Sequence, residues 1–575
     1  MQLLSTPKTY TFDLDKSCPP QETIDRVENL LASKNLALLQ ENKRVDTGRL
    51  GIPVYMSMCG EAARHILPVR KQMGKGATPE QARTSALMEL VERYSYFSFW
   101  TDCSRFQSLK WHEAKTKFGA RLLPVEELLR SVGENLTPDK AETVLDLVEW
   151  KFAPVTRIVD NQQVMAPLDW FKLINEFNGA SAGNNDTESV LQGACEVVER
   201  HVCALIAKDR IQTPTLDVST ARHPILRELV KKFHSVGIRL VLKNFSLDTN
   251  ISTVAALVWD PATFPHLSEI VFTAGTASSP EKAAIRALTE VAQLAGDFES
   301  ASNFEPSGLP KFHRLEETQW LQAGEVQTFA SMPSLEADDF LVELRELAGR
   351  MQKAGLNLYA ADFTHPDLGL PAHYSFAPGC AFRERAQQPS LGLFTARVLL
   401  ENDAPSQIET GLHMLETIYG RVPFLLFFRG MLHLQQGDLG QAAVFFGRSE
   451  TGLTDKQDQG LAAFYQAYSR TQEQKWEQAR PMLERAIGYD DSVKEFHNLL
   501  GVCFFKQQDY ERAARCFQKA LDLDSSSAMD MANLGLCHKF LGEKDTARIC
   551  LRQALVLDSS LEFAVEHLRE LEEKV

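Results

Sequence analysis

No run of apolar residues in this chain is long enough to cross a bilayer; the densest cluster, Phe424 to Phe428, falls far short of the roughly 20 residues a spanning helix needs. The segment Met1 to Pro20 has no charged start followed by an apolar run, which argues against a signal peptide. Ten cysteines are scattered over 575 residues with no CxxC pair and no metal-ligand spacing. A disulfide framework and a zinc site are therefore not expected, and a reducing cytoplasmic setting is. Positive charge is in deficit, with 61 Lys and Arg against 76 Asp and Glu, a net of −15. That balance speaks against nucleic acid or a membrane as partner, although Arg70, Lys71 and Lys75 form one local basic patch. The phosphate loop GxxxxGK[ST], the dinucleotide fingerprint, the HExxH zinc motif and the protein-kinase signature are all missing, and Gly74-Lys75-Gly76 is too short to replace the first. His65, His201 and His373 show no ligand spacing and read as structural, while Cys195, Cys203 and the lone Cys380 read as inert packing residues.

What the chain does have is one template used three times. The first copy runs Thr78-Pro79-Glu80-Gln81, then Ser85, Glu89, Glu92 and Arg93. The second runs Asn185-Asp186-Thr187-Glu188, then Gln192, Glu196, Glu199 and Arg200; the third runs Ser279-Pro280-Glu281-Lys282, then Arg286, Glu290 and Gln293. Counted from each cap residue, polar side chains recur along one stripe of a 3.6-residue helix that is otherwise apolar. Thr, Asn and Ser suit an N-cap, and Pro79 and Pro280 suit the first helical position. A single stripe of this kind is the ordinary solvated face of a surface helix, with Glu89–Arg93 and Glu196–Arg200 as ordinary i, i+4 pairs. Recurrence at fixed spacing, with the chemistry shifting from acidic to partly basic, points instead to one polar cavity shared by three helices. Carboxylates crowded into one cavity repel and need cations. Mg²⁺ takes oxygen ligands and bridges to phosphate, and Arg93, Arg200 and Arg286 could grip phosphate oxygens. The stripes therefore suggest a Mg²⁺–nucleotide site.

Residues 1–385 mix helix and strand signals. Strands are expected at 238–247, 252–259, 269–275 and 356–363, alternating with the stripe helices and an amphipathic helix near the start. GKGAT (74–78), SAGNN (181–185) and TAGTASS (273–279) each lead into a cap, where glycine would let backbone approach a ligand. From 424 onward the pattern is helical with an internal period. Gly501, Ala513, Phe517 and Ala520 recur 34 residues later as Gly535, Ala547, Leu551 and Ala554, and 34 earlier as Ala467, Ala479, Leu483 and Ala486. An irregular earlier copy keeps Gly430, Ala442 and Phe446. Thirty-four is the period of tetratricopeptide repeats. The expected architecture is an α/β (α+β) ATP/Mg-binding domain over 1–385, a helical connection over 386–423 broken at Asn402–Pro405, and an all-α tetratricopeptide solenoid over 424–575, closed by a cap helix at 561–575.

The segments GKGATPEQARTSALMELVERYS, SAGNNDTESVLQGACEVVER and PEKAAIRALTEVAQL resemble the three signature segments of the YcaO family, and ADFTHPDLGLPAHYSFAPG resembles its closing segment. The resemblance covers about residues 20–385. It implies ATP and Mg²⁺ as cofactors, with Glu89, Glu196 and Glu199 holding the metal. It implies ATP contacts from Ser85, Glu92, Asn184, Glu188, Gln192, Arg200, Arg286 and Glu290, with Arg286 and Glu290 as the catalytic pair, and an approach of Thr23 to the nucleotide. Asn184 is the residue among these that the stripes do not select. The family's chemistry implies ATP-driven phosphorylation of a peptide or protein backbone amide, leading to thioamidation, heterocyclisation or amidine formation. Azoline-forming members end in a proline-rich tail, whereas this sequence ends in EHLRELEEKV after the repeats, so it resembles the standalone class, which includes members linked to ribosomal-protein modification. A homodimer, a substrate recruited by the repeats and a sulfur-delivery or methylthiotransferase partner are implied in the same way. The alternative is a non-catalytic ATP-binding accessory factor or scaffold for ribosomal-protein methylthiolation.

Overall fold

The structure is a computed structural model that describes residues 1–46, 49–294, 298, 311–382 and 389–572. The chain divides into two compact units, Met1–Pro138 with Glu149–Pro389, and Asp139–Val148 with Ser390–Val575. The first unit carries three sheets. Strands β1 (Leu39–Arg44), β2 (Val54–Cys59) and β3 (Lys71–Lys75) form an antiparallel sheet in that order. Strands β4 (Gln107–Leu109), β5 (Trp150–Arg157), β6 (Gln162–Pro167) and β7 (Ala180–Ala182) belong to a second. With β13 (Tyr359–Asp362) and β14 (Ala372–Phe376), they give the order β4-β5-β13-β14-β7, and β6 pairs with β5. The third contains β8 (Thr215–Leu216), β9 (Arg239–Asn244), β10 (Thr253–Trp259), β11 (Val271–Thr276) and β12 (Val326–Gln327), ordered β11-β10-β9-β8-β12. The four expected strands are β9, β10, β11 and β13, within a few residues of the anticipated bounds. Along β10, Val254 to Val258 are fully buried, so this central strand reads as an unbroken apolar run rather than an alternation.

The three stripe helices are Pro79–Thr101, Asp186–Asp209 and Pro280–Leu294. Two of the anticipated caps form with side chains: Thr78 accepts from the Gln81 amide and Asn185 from the Glu188 amide. The first helix packs on β1, β2 and β3 and reaches β7 and β14; the second packs on β14, β7 and β11; the third packs on β10, β11 and β3. The helices thus share strands, and β3 and β11 bring their polar faces together.

The glycines ahead of the caps serve this packing. A Cβ on Gly74 would fall 2.0 Å from the Ala86 nitrogen and 2.4 Å from the Ala82 carbonyl oxygen. Gly183 meets Ser189 and Gly275 meets Ala283 in the same manner. The strand backbone therefore lies directly against the first turns of the helix, where no side chain fits.

The second unit begins with helices Leu391–Asn402 and Pro405–Tyr419, separated at Asp403-Ala404. Paired helices follow: Pro423–Gln435 with Leu439–Gly452, Lys456–Gln472 with Trp476–Tyr489, Lys494–Lys506 with Tyr510–Leu523, and Ala528–Phe540 with Lys544–Leu557. The closing helix is Glu562–Glu572, and the last three residues of the anticipated cap lie outside the described set. In each pair a small residue receives a large one from its partner helix. A Cβ on Gly501 would sit 2.8 Å from the Phe517 ring, and Gly430 stands likewise against Phe446. Ala479, Leu483, Ala513, Ala547 and Leu551 are completely buried, as the 34-residue period requires.

Gly74→Ala should destabilise the first unit by about 2 kcal/mol or more, because backbone and not a flexible side chain blocks the new methyl. Gly488→Ala, in a helix with open space around it, should be neutral or stabilise by up to about 1 kcal/mol. Thermal denaturation of the two variants checks the contrast.

Candidate active site

The stripes turn inward onto one another. On the first helix, Arg93 lies 3.7 Å from Glu89 and 3.5 Å from Glu92, with its guanidinium over the Phe177 ring. On the second, Arg200 lies 3.7 Å from Glu196, and the Thr276 amide donates to Glu199 at 3.0 Å. On the third, Arg286 donates to Gln192 of the second helix at 2.7 Å, and Glu290 pairs with Lys75 from the end of β3. The charges act on each other across the helices. Burial pushes the Lys75 ammonium down to about 8, helped by Arg286 and Arg200 and opposed by Glu199 and Glu89. Burial pushes the Glu92 carboxyl up to about 8, opposed by Arg93 and reinforced by Glu89 and Glu196. Glu89 and Glu199 are likewise raised, first by burial, with Glu196 adding to both. Yet Glu89 keeps 29% of its side-chain surface open to solvent, so these groups line a recess and not a sealed core.

Asn184 and Glu188 stand at the N-terminal end of the second helix. Glu188 is buried and accepts from the Ser17 amide at 3.0 Å, the Ser17 hydroxyl at 2.6 Å and Asn184 Nδ2 at 3.2 Å, with Lys16 at 3.4 Å. Burial alone would raise its pKa, but Lys16 and the Ser17 and Asn184 bonds outweigh it and hold the carboxyl below its usual range. Asn184 Oδ1 accepts from Thr23 at 2.8 Å and from Arg26 at 2.7 Å. A cavity of about 60 Å³ joins this end to the rest, lined by Lys16, Glu188, Gln192, Ser278, Lys282 and Arg286 among others. Ser85, one turn ahead of Glu89, is half-buried and takes part in none of these bonds; Gln293 is half-buried beyond Glu290.

The structure adds groups that the stripe pattern does not single out. Lys75 is one, and its signal was the GKG that falls short of a phosphate loop. Lys282, already in the third stripe, pairs with Asp15 at 2.8 Å and Asp15 with Lys8 at 2.7 Å, so Asp15 ties the N-terminal segment to the cavity. Asp15, Lys16 and Ser17 carry no periodicity, so nothing in the sequence marks them.

Among the described residues, no three Asp, Glu, His or Cys side chains stand close enough together to ligate a metal ion by themselves. Glu89 faces Arg93, Glu196 faces Arg200 and Glu199 faces the Thr276 amide, so the expected ligands Glu89, Glu196 and Glu199 are spread over two helices rather than closed into a cage. Mg²⁺ needs no such cage: it takes one or two carboxylates and completes its shell with phosphate oxygens and water. An open recess holding Glu89, Glu92, Glu196 and Glu199, with the first, second and fourth raised by burial and by the nearby Glu196 charge, has the donor chemistry of a hard-cation site. Lys75, Arg200 and Arg286 beside it supply counter-charge for phosphates.

The family profile for YcaO cyclodehydratase, ATP- and Mg²⁺-binding, matches residues 73–381. The chain belongs to the YcaO family. Tetratricopeptide-repeat profiles match 466–528 and 531–560. An uncharacterized protein of Methanothermobacter thermautotrophicus is 27% identical over 63% of this chain and 93% of its own length. The ribosomal protein S12 methylthiotransferase accessory factor YcaO of Escherichia coli is 27% identical over 33% of this chain, a match that spans only 35% of that protein. The solved structure of a heterocyclase in complex with substrate and cofactor shares the fold, with a TM-score of 0.53 and 20% identity over 66% of this chain and 54% of that one. ATP and Mg²⁺ are thus the cofactors of the YcaO unit, and the recess fits them. No helix among the described residues is long and apolar enough to cross a membrane.

Glu92 titrates near 8 in the folded chain against about 4.5 when unfolded, so the fold holds the extra proton between these values. Without nucleotide, stability should fall as pH rises from about 5 to 8, and Glu92→Gln should flatten that slope. Melting temperatures across this range check the sign; a wild-type slope as flat as the variant's would contradict it.

Proposed function

We propose that the protein is an ATP- and Mg²⁺-dependent enzyme that phosphorylates a backbone amide oxygen of a peptide or protein, so that a nucleophile can replace that oxygen. The observation that carries this reading is the convergence of three helices, with Lys75 from β3, on one recess rich in carboxylates and arginines inside the YcaO unit. In this reading Glu89, Glu196 and Glu199 hold Mg²⁺. Ser85, Glu92, Asn184, Glu188, Gln192 and Arg200, together with Arg286 and Glu290, hold ATP. Bound Mg²⁺ would offset the charge of the phosphates and orient them.

Arg286, steadied by Gln192, grips the terminal phosphate and stabilises the negative charge that develops on its oxygens as it passes to the amide oxygen. Glu290 holds Lys75 at the same place, so a second cation stands ready without being free to drift. The γ-phosphoryl group leaves ADP for the amide oxygen; a nucleophile bonds to the amide carbon, and the carbon–oxygen bond breaks to release phosphate. Sulfide as nucleophile gives a thioamide, and a Cys, Ser or Thr side chain gives a heterocycle. The tetratricopeptide repeats recruit the peptide or protein substrate, and the active form is a homodimer.

A second reading is favoured by the name of the E. coli relative: a non-catalytic ATP-binding accessory factor acting beside a methylthiotransferase. Turnover separates the two. Glu196→Ala and Arg286→Ala should each lower substrate-stimulated ADP release by about 100-fold or more, while binding of a protein partner by the repeats is unchanged. ATP bound by the wild type, with no ADP release whatever peptide or protein is added, would overturn the enzyme reading in favour of the accessory one.

A further inference from the structure

Away from the recess, the second sheet has a gap. Strands β5 and β13 pair at Arg157–Tyr359 and Thr156–Ala360. Continued in register, Asp362 would face Pro154 and Thr364 would face Phe152. Pro154 has no N–H to donate, and Phe152 pairs with Gln107 of β4 instead. Arg105 fills the gap: its guanidinium donates to the Asp362 carbonyl at 3.0 Å and the Thr364 carbonyl at 3.3 Å, and it lies 5.0 Å from the centre of the Phe99 ring. Among the described residues it has no carboxylate within ion-pair distance, although Asp102 lies near enough to feel its charge.

Arg105 lines two cavities, one of about 250 Å³ between the splayed strands and one of about 130 Å³ beside the end of the first stripe helix. The second is rich in donors. Ser95 and Ser98 line it, 1% and 7% exposed, and neither buried hydroxyl has a hydrogen-bond partner. His365 also lines it, with Nδ1 accepting from the Asp367 amide at 3.2 Å, which leaves the proton on Nε2. Burial keeps this imidazole below its ordinary pKa, so it is a neutral donor. Asp102 is the cavity's one carboxylate, and its Oδ1 is already taken by the Ser104 amide at 2.9 Å and hydroxyl at 2.6 Å. Buried hydroxyls without partners are costly unless something binds them.

We propose that the cavity formed by Ser95, Ser98, His365 and Arg105 is a carboxylate-binding site, separate from the nucleotide recess. Two serine hydroxyls and a guanidinium with spare N–H groups match a single planar −1 group. A phosphate, near −2 at neutral pH, would exceed the one cation present. The carboxylate could belong to a free organic acid or to a peptide, and the cavity recognises what they share.

The test uses the full chain and calorimetric titration. The probes are N-acetylglycine, an acetylated and C-terminally amidated tripeptide with one central glutamate, its glutamine counterpart, and inorganic phosphate. At least one carboxylate probe should bind, with the glutamine peptide and phosphate about tenfold weaker or undetectable. Binding of the acid alone, or of the glutamyl peptide as well, identifies the source; either result supports the site. Arg105→Gln should weaken binding by about tenfold or more with ATP affinity unchanged. Because Arg105 also bridges two carbonyls, Ser98→Ala is the second variant: losing an unpartnered hydroxyl should leave the melting temperature level or higher while carboxylate affinity falls about threefold or more. Failure of both carboxylate probes, a preference for phosphate, or unchanged affinity in both variants would overturn the proposal.

Discussion

Everything in the polar recess depends on a charge imbalance that the fold creates and cannot resolve by itself. Glu89, Glu92, Glu196 and Glu199 come from two helices into one place, and burial raises the pKa of Glu89, Glu92 and Glu199. Their counter-charges are Arg93, Arg200, Lys75 and Arg286, but the Arg–Glu pairs are long, at 3.5 to 3.7 Å, and Lys75 is itself pushed down to about 8. Neither sign is comfortable there by itself. A ligand that brings both cations and anions together relieves both strains, as a metal–phosphate complex does. The recess is therefore built for a compound guest of mixed charge.

The polar recess was largely legible in the sequence because the helices that line it obey a period. Cap-relative spacing picked out Glu89, Glu92, Gln192, Glu196, Glu199, Arg286 and Glu290, and the helices carry these side chains to one another. Strands β9, β10, β11 and β13 were legible because their residues form alternating or continuous apolar runs. What escaped has no period. Strands β1 and β3, LQENKR and KQMGK, are polar because the three-stranded sheet is half open to solvent, so no apolar pattern announces them. The β5–β6 hairpin carries polar residues and Pro154 and reads poorly as a strand pair. Asp15, Lys16 and Ser17 reach the cavity from an irregular segment, where sequence neighbours say nothing about spatial ones. The glycines before the caps were read as letting backbone approach a ligand; what the sequence did not announce is that each also seats its strand against the next helix.

The repeats were the most legible part, for the opposite reason. Each helical pair buries a small residue beneath a large one, Gly430 with Phe446 and Gly501 with Phe517, so the demand for size alternates with the chain and returns every 34 residues. Local packing of that type writes itself into sequence. The recess, assembled from positions some two hundred residues apart, does so only where helices supply a common ruler.

Lys75 owes its place to what its neighbours lack. Gly74 must lie flat against Ala82 and Ala86, and β3 pairs with β2 at Tyr55–Gly74 and Val54–Lys75. Sliding the strand by one residue would drive the long lysine chain into the helix backbone, a clash no rotamer escapes, and would turn a bare glycine toward Glu290. The bareness of Gly74 thus acts as a keyway: it bars a one-residue slip of the strand, and the alignment it keeps delivers the ammonium group. Correct threading of the sheet and a charged recess are one and the same event in this chain.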